Sequence, residues 1–182
     1  IKNKKTVRPY LLQYGIVYVN SLRDGINKHI MRYPQLFASY NVRDRIRDNL
    51  KRGIIWHNLG SGKTALAYFL TNVLRDDYQK NKIITKFYFV VDRLDLLRQA
   101  SSEFSSRGLR IAEINNRLDF EKNIQSPEIV VEGSGENTYK DTMNVVNIHK
   151  FSEGSKAVPN PYLNIQRIYF LDEIHRSYKP KG

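Results

Sequence analysis

Residues 53–64 read Gly53-Ile54-Ile55-Trp56-His57-Asn58-Leu59-Gly60-Ser61-Gly62-Lys63-Thr64. Ile54, Ile55 and Trp56 are apolar and β-favouring, so Gly53–Trp56 reads as a short buried strand. Gly60 and Gly62 then let the backbone turn tightly, and N–H groups without a neighbouring Cβ can converge on an anion. A helix starting at this point adds the favourable field of its N-terminus. Lys63 is placed to reach β- and γ-phosphates, and the Thr64 hydroxyl is a magnesium ligand type. Gly60, Ser61, Gly62, Lys63 and Thr64 are therefore the candidate phosphate-binding residues. The full spacing G-x-x-x-x-G-K-[ST] asks for glycine at 57, where this chain has His57. The milder reading is a glycine–lysine turn capped by Thr64.

Working outward, Leu66, Phe69, Leu70, Val73 and Leu74 lie on one face of a helix of about 12 residues, at the 3.6-residue period. Lys80 to Lys82 is a polar gap. Phe87-Tyr88-Phe89-Val90-Val91 is a continuous apolar run, as a strand buried on both faces requires. Asp92-Arg93 closes it, and Leu94, Leu97, Ala100 and Phe104 mark another helix. Strand candidates follow at Arg110–Ile114, Ile129–Val131, Asn144–Phe151 and Arg167–Leu171. Upstream, the apolar segment from Pro9 to Val19 reads as a helix turning into a strand, and Ser21–Gly25 as a turn. Pro34 to about Leu50 reads as a helix with Leu36, Phe37, Tyr40, Ile46 and Leu50 on its apolar stripe. Arg43, Arg45 and Arg47 would form its basic outer face. Strand, glycine loop, helix, strand and helix in succession predict an α/β fold, a mostly parallel sheet with helices on both faces.

A second box lies at the end of the last apolar run, Asp172-Glu173-Ile174-His175. A carboxylate at the carboxyl end of a parallel strand sits where open sheets bind ligands. Asp172 can hold magnesium, and Glu173 can orient or deprotonate a water for γ-phosphate cleavage. His175 is a candidate for coupling the nucleotide site to a second half of a motor. The milder readings are a helix cap for the two acids and a surface hydrogen bond for the histidine. Together the boxes predict a P-loop nucleoside triphosphatase with ATP and Mg²⁺ as cofactors. His29, His57, His149 and His175 are scattered and no H-E-x-x-H occurs, so zinc is a poor alternative.

Composition sets the outer limits. The chain has 182 residues, no cysteine and a formal charge of +12. That excludes disulfide scaffolds and thiolate metal sites. No apolar stretch is long enough for a membrane-spanning helix. Ile1-Lys2-Asn3-Lys4-Lys5 lacks the apolar run of a signal peptide, and a first residue other than methionine is expected of a fragment. Residues 1–56 hold 12 Lys and Arg against 3 Asp and Glu. Such a basic third suits a polyanion such as nucleic acid, or else a solvated helical surface or an acidic neighbour.

The motifs resemble helicase superfamily 2, and more narrowly the motor of the restriction (R) subunit of type I restriction–modification enzymes. That family carries a strand ending in Trp-His before a G-S-G-K-[ST] loop, which accounts for Trp56-His57. Its V-D-R strand end and leucine-rich helix are similar to Val91-Asp92-Arg93-Leu94-Asp95-Leu96-Leu97. Its T-I-Q-K-F motif is matched imperfectly by Asn147-Ile148-His149-Lys150-Phe151. Its DEAH box followed by Arg-Ser resembles Asp172-Glu173-Ile174-His175-Arg176-Ser177, with isoleucine for alanine. Its Arg-Tyr-x-Gln segment resembles Arg32-Tyr33-Pro34-Gln35. The resemblance runs from about residue 9 to Ser177 and is weakest between Leu109 and Asp141.

The resemblance implies a RecA-like lobe at 31–182, with residues 1–30 as a linker or the end of an upstream nuclease domain. It implies an ATP-driven translocase that moves duplex DNA before cleavage, in the cytoplasm of a bacterium or archaeon. The partners would be methylation (M) and specificity (S) subunits and duplex DNA. It implies that Gln35 reads the adenine edge with Tyr33 stacked nearby; otherwise Tyr33 is core and Gln35 an exposed first-turn residue. Lys63 and Glu173 would be catalytic, with Thr64 and Asp172 on magnesium. Arg93, Lys150 and His175 would contact DNA or couple to it, with an Asp92 or Asp95 ion pair as the alternative for Arg93. The nuclease cluster and a second lobe with its arginines are expected outside these residues, so the 182-residue chain alone should turn ATP over very slowly. Two rivals remain open: another superfamily 2 motor, such as a type III restriction subunit, and a nucleotide-binding scaffold.

Overall fold

The computed structural model describes residues 4–21, 23–58, 60–125, 142–148 and 164–172. The chain divides into two compact units, Ile1–Asn81 and Lys82–Gly182. The first contains helix α1 (Lys4–Tyr14), strands β1 (Ile16–Ser21) and β2 (Gly25–Ile30), and helices α2 (Tyr33–Arg47) and α3 (Lys63–Gln79). The second contains β3 (Ile84–Val91), α4 (Leu94–Ser105), β4 (Arg110–Ile114), α5 (Arg117–Gln125), β5 (Thr142–Asn147) and β6 (Ile165–Leu171).

In the first unit, α1 starts earlier than the sequence suggested and runs through Pro9. Proline lacks one N–H, so α1 forgoes a single helical bond there. β1 and β2 form an antiparallel hairpin from Ile16↔Ile30 to Ser21↔Gly25. Gly25 supplies the positive φ, 69°, at its turn. β2 has no clear polar–apolar alternation, which is why it escaped the sequence reading. α2 begins one residue before Pro34 and stops at Arg47, short of the expected Leu50. Asn49 takes φ 62°, and Leu50 and Asn49 donate backward to the carbonyls of Arg45 and Ile46. That is a Schellman closure with asparagine in the left-handed position.

The basic outer face expected of α2 is only partly outward. Arg43 lies over the rings of Tyr10 and Tyr40, at 4.8 and 5.0 Å from their centroids. Arg47 makes a bidentate ion pair with Asp77 of α3. α3 is longer than the 12 residues its stripe suggested, and all five stripe residues are buried.

The second unit is a four-stranded, all-parallel sheet in the order β4-β5-β3-β6. Side-chain parity along β3 separates its faces. Phe89 meets Phe104 of α4 edge-on at 5.0 Å, while Tyr88 meets Phe120 of α5 at 5.9 Å. The two helices therefore cover opposite faces, as expected. The topology explains why. The chain moves outward from β3 to β4 through α4, then back to β5 through α5. Right-handed crossovers in opposite directions place their helices on opposite sides. The α5 face is tied by polar contacts. The Lys86 ammonium donates to the Asn123 carbonyl, the Tyr88 hydroxyl to the Asn123 side chain, and Asn123 in turn to Asn144. This α/β unit, a parallel sheet flanked by helices, has the organisation of a RecA-like lobe.

The segment 51–58 is not a strand. Ile54 and Trp56 are 91% and 88% exposed. Composition gave the expectation of a strand, but a strand exists only where its N–H and C=O groups pair with a neighbour. No such pairing forms for Gly53–Trp56 among the described residues. The expected strand at Ile129–Val131 lies outside the described residues.

Candidate nucleotide site

The glycine loop lies in the first unit. Gly60 and Gly62 both adopt left-handed backbone, φ 75° and 79°, and Gly62 caps α3. An L-residue with a Cβ resists this conformation, so the two glycines are what permit the turn. Ser61 N–H donates to the Asn58 carbonyl at 3.2 Å. The first helical bond of α3 is Leu66 N–H to the Gly62 carbonyl, 2.9 Å. The N–H groups just ahead of it have no helical acceptor and are free to meet an anion. Lys63 and Thr64 occupy the first turn, both part-exposed, and Lys63 has no carboxylate partner among the described residues. Ser61 Oγ and His57 Nδ1 are buried polar atoms with no hydrogen-bond partner among the described residues.

Gln35 is where the structure departs most from the sequence reading. It is third in α2 and only 3% exposed. Its Oε1 accepts from Arg32 N–H at 2.8 Å, the N-terminal half of a capping box. Its Nε2 donates to the Gly62 carbonyl at 2.9 Å and the Ser61 carbonyl at 3.4 Å. The amide therefore spans from the start of α2 to the phosphate loop. Tyr33 is 74% exposed and leans on Phe37, centroids 4.5 Å apart. Neither alternative to the adenine role holds: Tyr33 is not core, and Gln35 is not an exposed first-turn residue.

In the second unit, Asp172 follows β6 directly. Its N–H donates to the Val90 carbonyl at 3.0 Å, extending the β3–β6 ladder by one residue. That fixes Asp172 at the carboxyl end of the sheet, where α/β ligand sites form. Asp92, one residue beyond β3, is buried at the same end; the sequence reading took it as a strand terminator, as part of the V-D-R motif and as an alternative ion-pair partner of Arg93. Arg93 makes the alternative contact foreseen for it, a bidentate pair with Asp95 at 2.8 and 3.2 Å. The guanidinium beside Asp95 holds its carboxyl below the usual range. Glu173, His175 and Lys150 lie outside the described residues, as does Leu59 within the loop. No group of three or more metal-ligating side chains occurs among the described residues, and no described helix is long and apolar enough to cross a membrane.

The sequence pattern of the ResIII family, described as Type III restriction enzyme, res subunit, matches residues 28–182. The chain belongs to the ResIII family. Among curated proteins it is similar to the putative type I restriction enzyme MjaVIIP endonuclease subunit of Methanocaldococcus jannaschii. The two are 36% identical over 136 residues, covering 65% of this chain and 12% of that protein. The type I restriction enzyme SsaAORF53P endonuclease subunit of Staphylococcus saprophyticus is 28% identical over 155 residues, 81% of this chain and 14% of that protein. The C-terminal part of the putative type I restriction enzyme MpnIIP endonuclease subunit from Mycoplasma pneumoniae is 25% identical over 171 residues, 85% of this chain and 76% of that protein. The chain thus spans 12% to 14% of the length of the first two relatives.

Proposed function

We propose that these residues are the nucleotide-binding lobe of an ATP-driven DNA translocase within a type I restriction endonuclease. The observation that carries the reading is the Gly60–Thr64 turn. Two left-handed glycines open directly into α3, with Lys63 and Thr64 in its first turn. The residues fit a nucleoside triphosphate: helix-terminal N–H groups, the Lys63 ammonium, and buried Ser61 Oγ and His57 Nδ1, these two atoms lacking a hydrogen-bond partner among the described residues. Lys63 is the proposed counter-charge for the terminal phosphates. The Thr64 hydroxyl and the Asp172 carboxylate are each oxygen donors of the kind magnesium takes. When bound, ATP·Mg supplies the scissile phosphoanhydride, and Glu173 is the proposed base or water-orienting group. The type I names of the relatives favour a restriction motor over a general helicase. Duplex DNA, methylation and specificity subunits, and a cytoplasmic setting belong to the same proposal.

The test is ATP hydrolysis by the intact polypeptide that contains this chain. It is measured with and without long linear duplex DNA and its candidate methylation and specificity partners. Hydrolysis requiring both partners and a site-bearing duplex is expected. Removing the ammonium with Lys63→Ala should lower it by a factor on the order of 100 or more. Hydrolysis stimulated by any single strand or RNA without partners would make it a general helicase instead.

A further inference from the structure

We infer that the outward face of the β1–β2 hairpin is a docking surface for another part of the intact polypeptide, an apolar surface that carries a carboxylate. This rests on the reading above that these residues work within a longer restriction subunit. Register and parity decide what the face displays. Side chains alternate along a strand, and residues directly opposite one another share a face. Ile16↔Ile30, Tyr18↔Lys28 and Asn20↔Ile26 therefore project to one side. Val17 and Val19 project to the other, and both are buried.

The first side is left uncovered. Tyr18, Ile26 and Ile30 are 64%, 73% and 54% exposed. Tyr18 stands diagonally between the two isoleucines, so the three form one patch with Lys28 beside them. Single exposed apolar residues are ordinary, but large ones gathered in register on one ribbon face mark a contact surface. The ribbon has two strands. Such a ribbon has little stability of its own and draws on a packed neighbour or a third strand.

Charge and size select the occupant. Ile16, Tyr18, Asn20, Ile26, Lys28 and Ile30 include one cation and no carboxylate. A second copy meeting this face through a two-fold axis would present the same patch, with a lysine and no counter-charge. Covering Lys28 without an acid would leave a charge unpaired, so the partner surface brings one. Nucleic acid is a poor fit, because its backbone is held by several cations and this face has one. The patch is also far smaller than the roughly 20–30 residues a side of a stable interface between separate proteins. A surface joined through the same backbone needs no such area, since its docking is intramolecular. The chain spans 12% to 14% of the length of its first two relatives, which on the proposed reading leaves ample polypeptide to supply that surface.

The experiment is amide hydrogen exchange, read peptide by peptide, on the intact polypeptide and three variants. Ile26→Asp places an acid in the apolar patch, Lys28→Glu sets like charge against the partner's carboxylate, and Lys28→Arg keeps the charge. The expected result is that the first two speed exchange by about tenfold or more, both across residues 16–30 and in one further stretch outside the 182 residues. Lys28→Arg should exchange like the parent, and the main melting transition should stay in place for all three. Faster exchange confined to the hairpin would mean that the substitutions merely loosen the ribbon, and would overturn the inference. So would protection of residues 16–30 that disappears on dilution, which marks a second copy, or that needs added duplex DNA, which marks nucleic acid. Absence of ATP hydrolysis by the parent would defeat the motor reading while leaving the exchange comparison readable.

Discussion

Tyr14 illustrates how a single side chain couples chemistry to stability in the first unit. Its hydroxyl donates to Asp76 of α3 at 3.0 Å, and its ring is buried beside Tyr10. Burial first, then the bond to Asp76, pushes its pKa up from 10.0 to about 12. A group whose folded pKa exceeds its unfolded one gives its full contribution below the unfolded value. That contribution is lost as pH rises through the folded value. Stability should therefore fall between about pH 10 and pH 12. Tyr14→Phe should lose about 1 kcal/mol at neutral pH, for the missing hydrogen bond, and flatten the alkaline fall. Denaturation midpoints of parent and variant across that range provide the check; parallel curves would sink the assignment. At this scale the sequence was legible where backbone conformation dictates residue type, as at Gly60 and Gly62. It was less legible where one residue type serves several ends. Arg43 reads as surface charge but lies over two tyrosine rings. Gln35 by position alone reads as an exposed first-turn residue but is buried and bonds to two backbone segments.

Helices with an unbroken apolar stripe were legible because periodicity and burial are the same signal, as α3 and α4 demonstrate. Their ends were less so. α2 stops at a left-handed Asn49, a role that many asparagines do not take. Strands that pair inside the sheet were legible from continuous apolar runs, as in β3. Gly53–Trp56 has the same composition without the pairing, which no single stretch of sequence can specify. α5 went unread because its apolar residues are few; Ile124 is its one buried residue among those described. The strongest element-scale test falls on α4. Phe104 is fully buried and meets Phe89 of β3 at 5.0 Å. Phe104→Ala should cost about 3–5 kcal/mol, the transfer and cavity terms of a large core truncation. Leu94→Ala, on the exposed first turn of the same helix, should cost well under about 1 kcal/mol. Similar losses for both would mean that α4 does not pack as described.

For the whole molecule, the chain spans 12% to 14% of the length of its first two relatives, and on the proposed reading its parallel sheet and glycine loop work within a longer polypeptide. Binding and turnover then need not travel together. On the proposed reading, helix-terminal N–H groups and Lys63 give a measurable affinity for phosphates. Transition-state charge on the transferred phosphoryl group calls for further cations, and the resemblance places those on a second lobe. An arginine supplied from another element is worth roughly 10³–10⁵ in rate in phosphoryl transfer. The 182-residue chain produced alone should accordingly bind ADP with magnesium. Its ATP turnover should run on the order of 10³-fold below that of the intact polypeptide assayed with DNA and partners. Calorimetric titration with ADP and a phosphate-release assay on the same preparation separate the two quantities. Turnover by the isolated chain at the rate of the intact motor would show that these residues already complete the hydrolytic site. Failure to bind, with the melting transition intact, would place the affinity itself outside them.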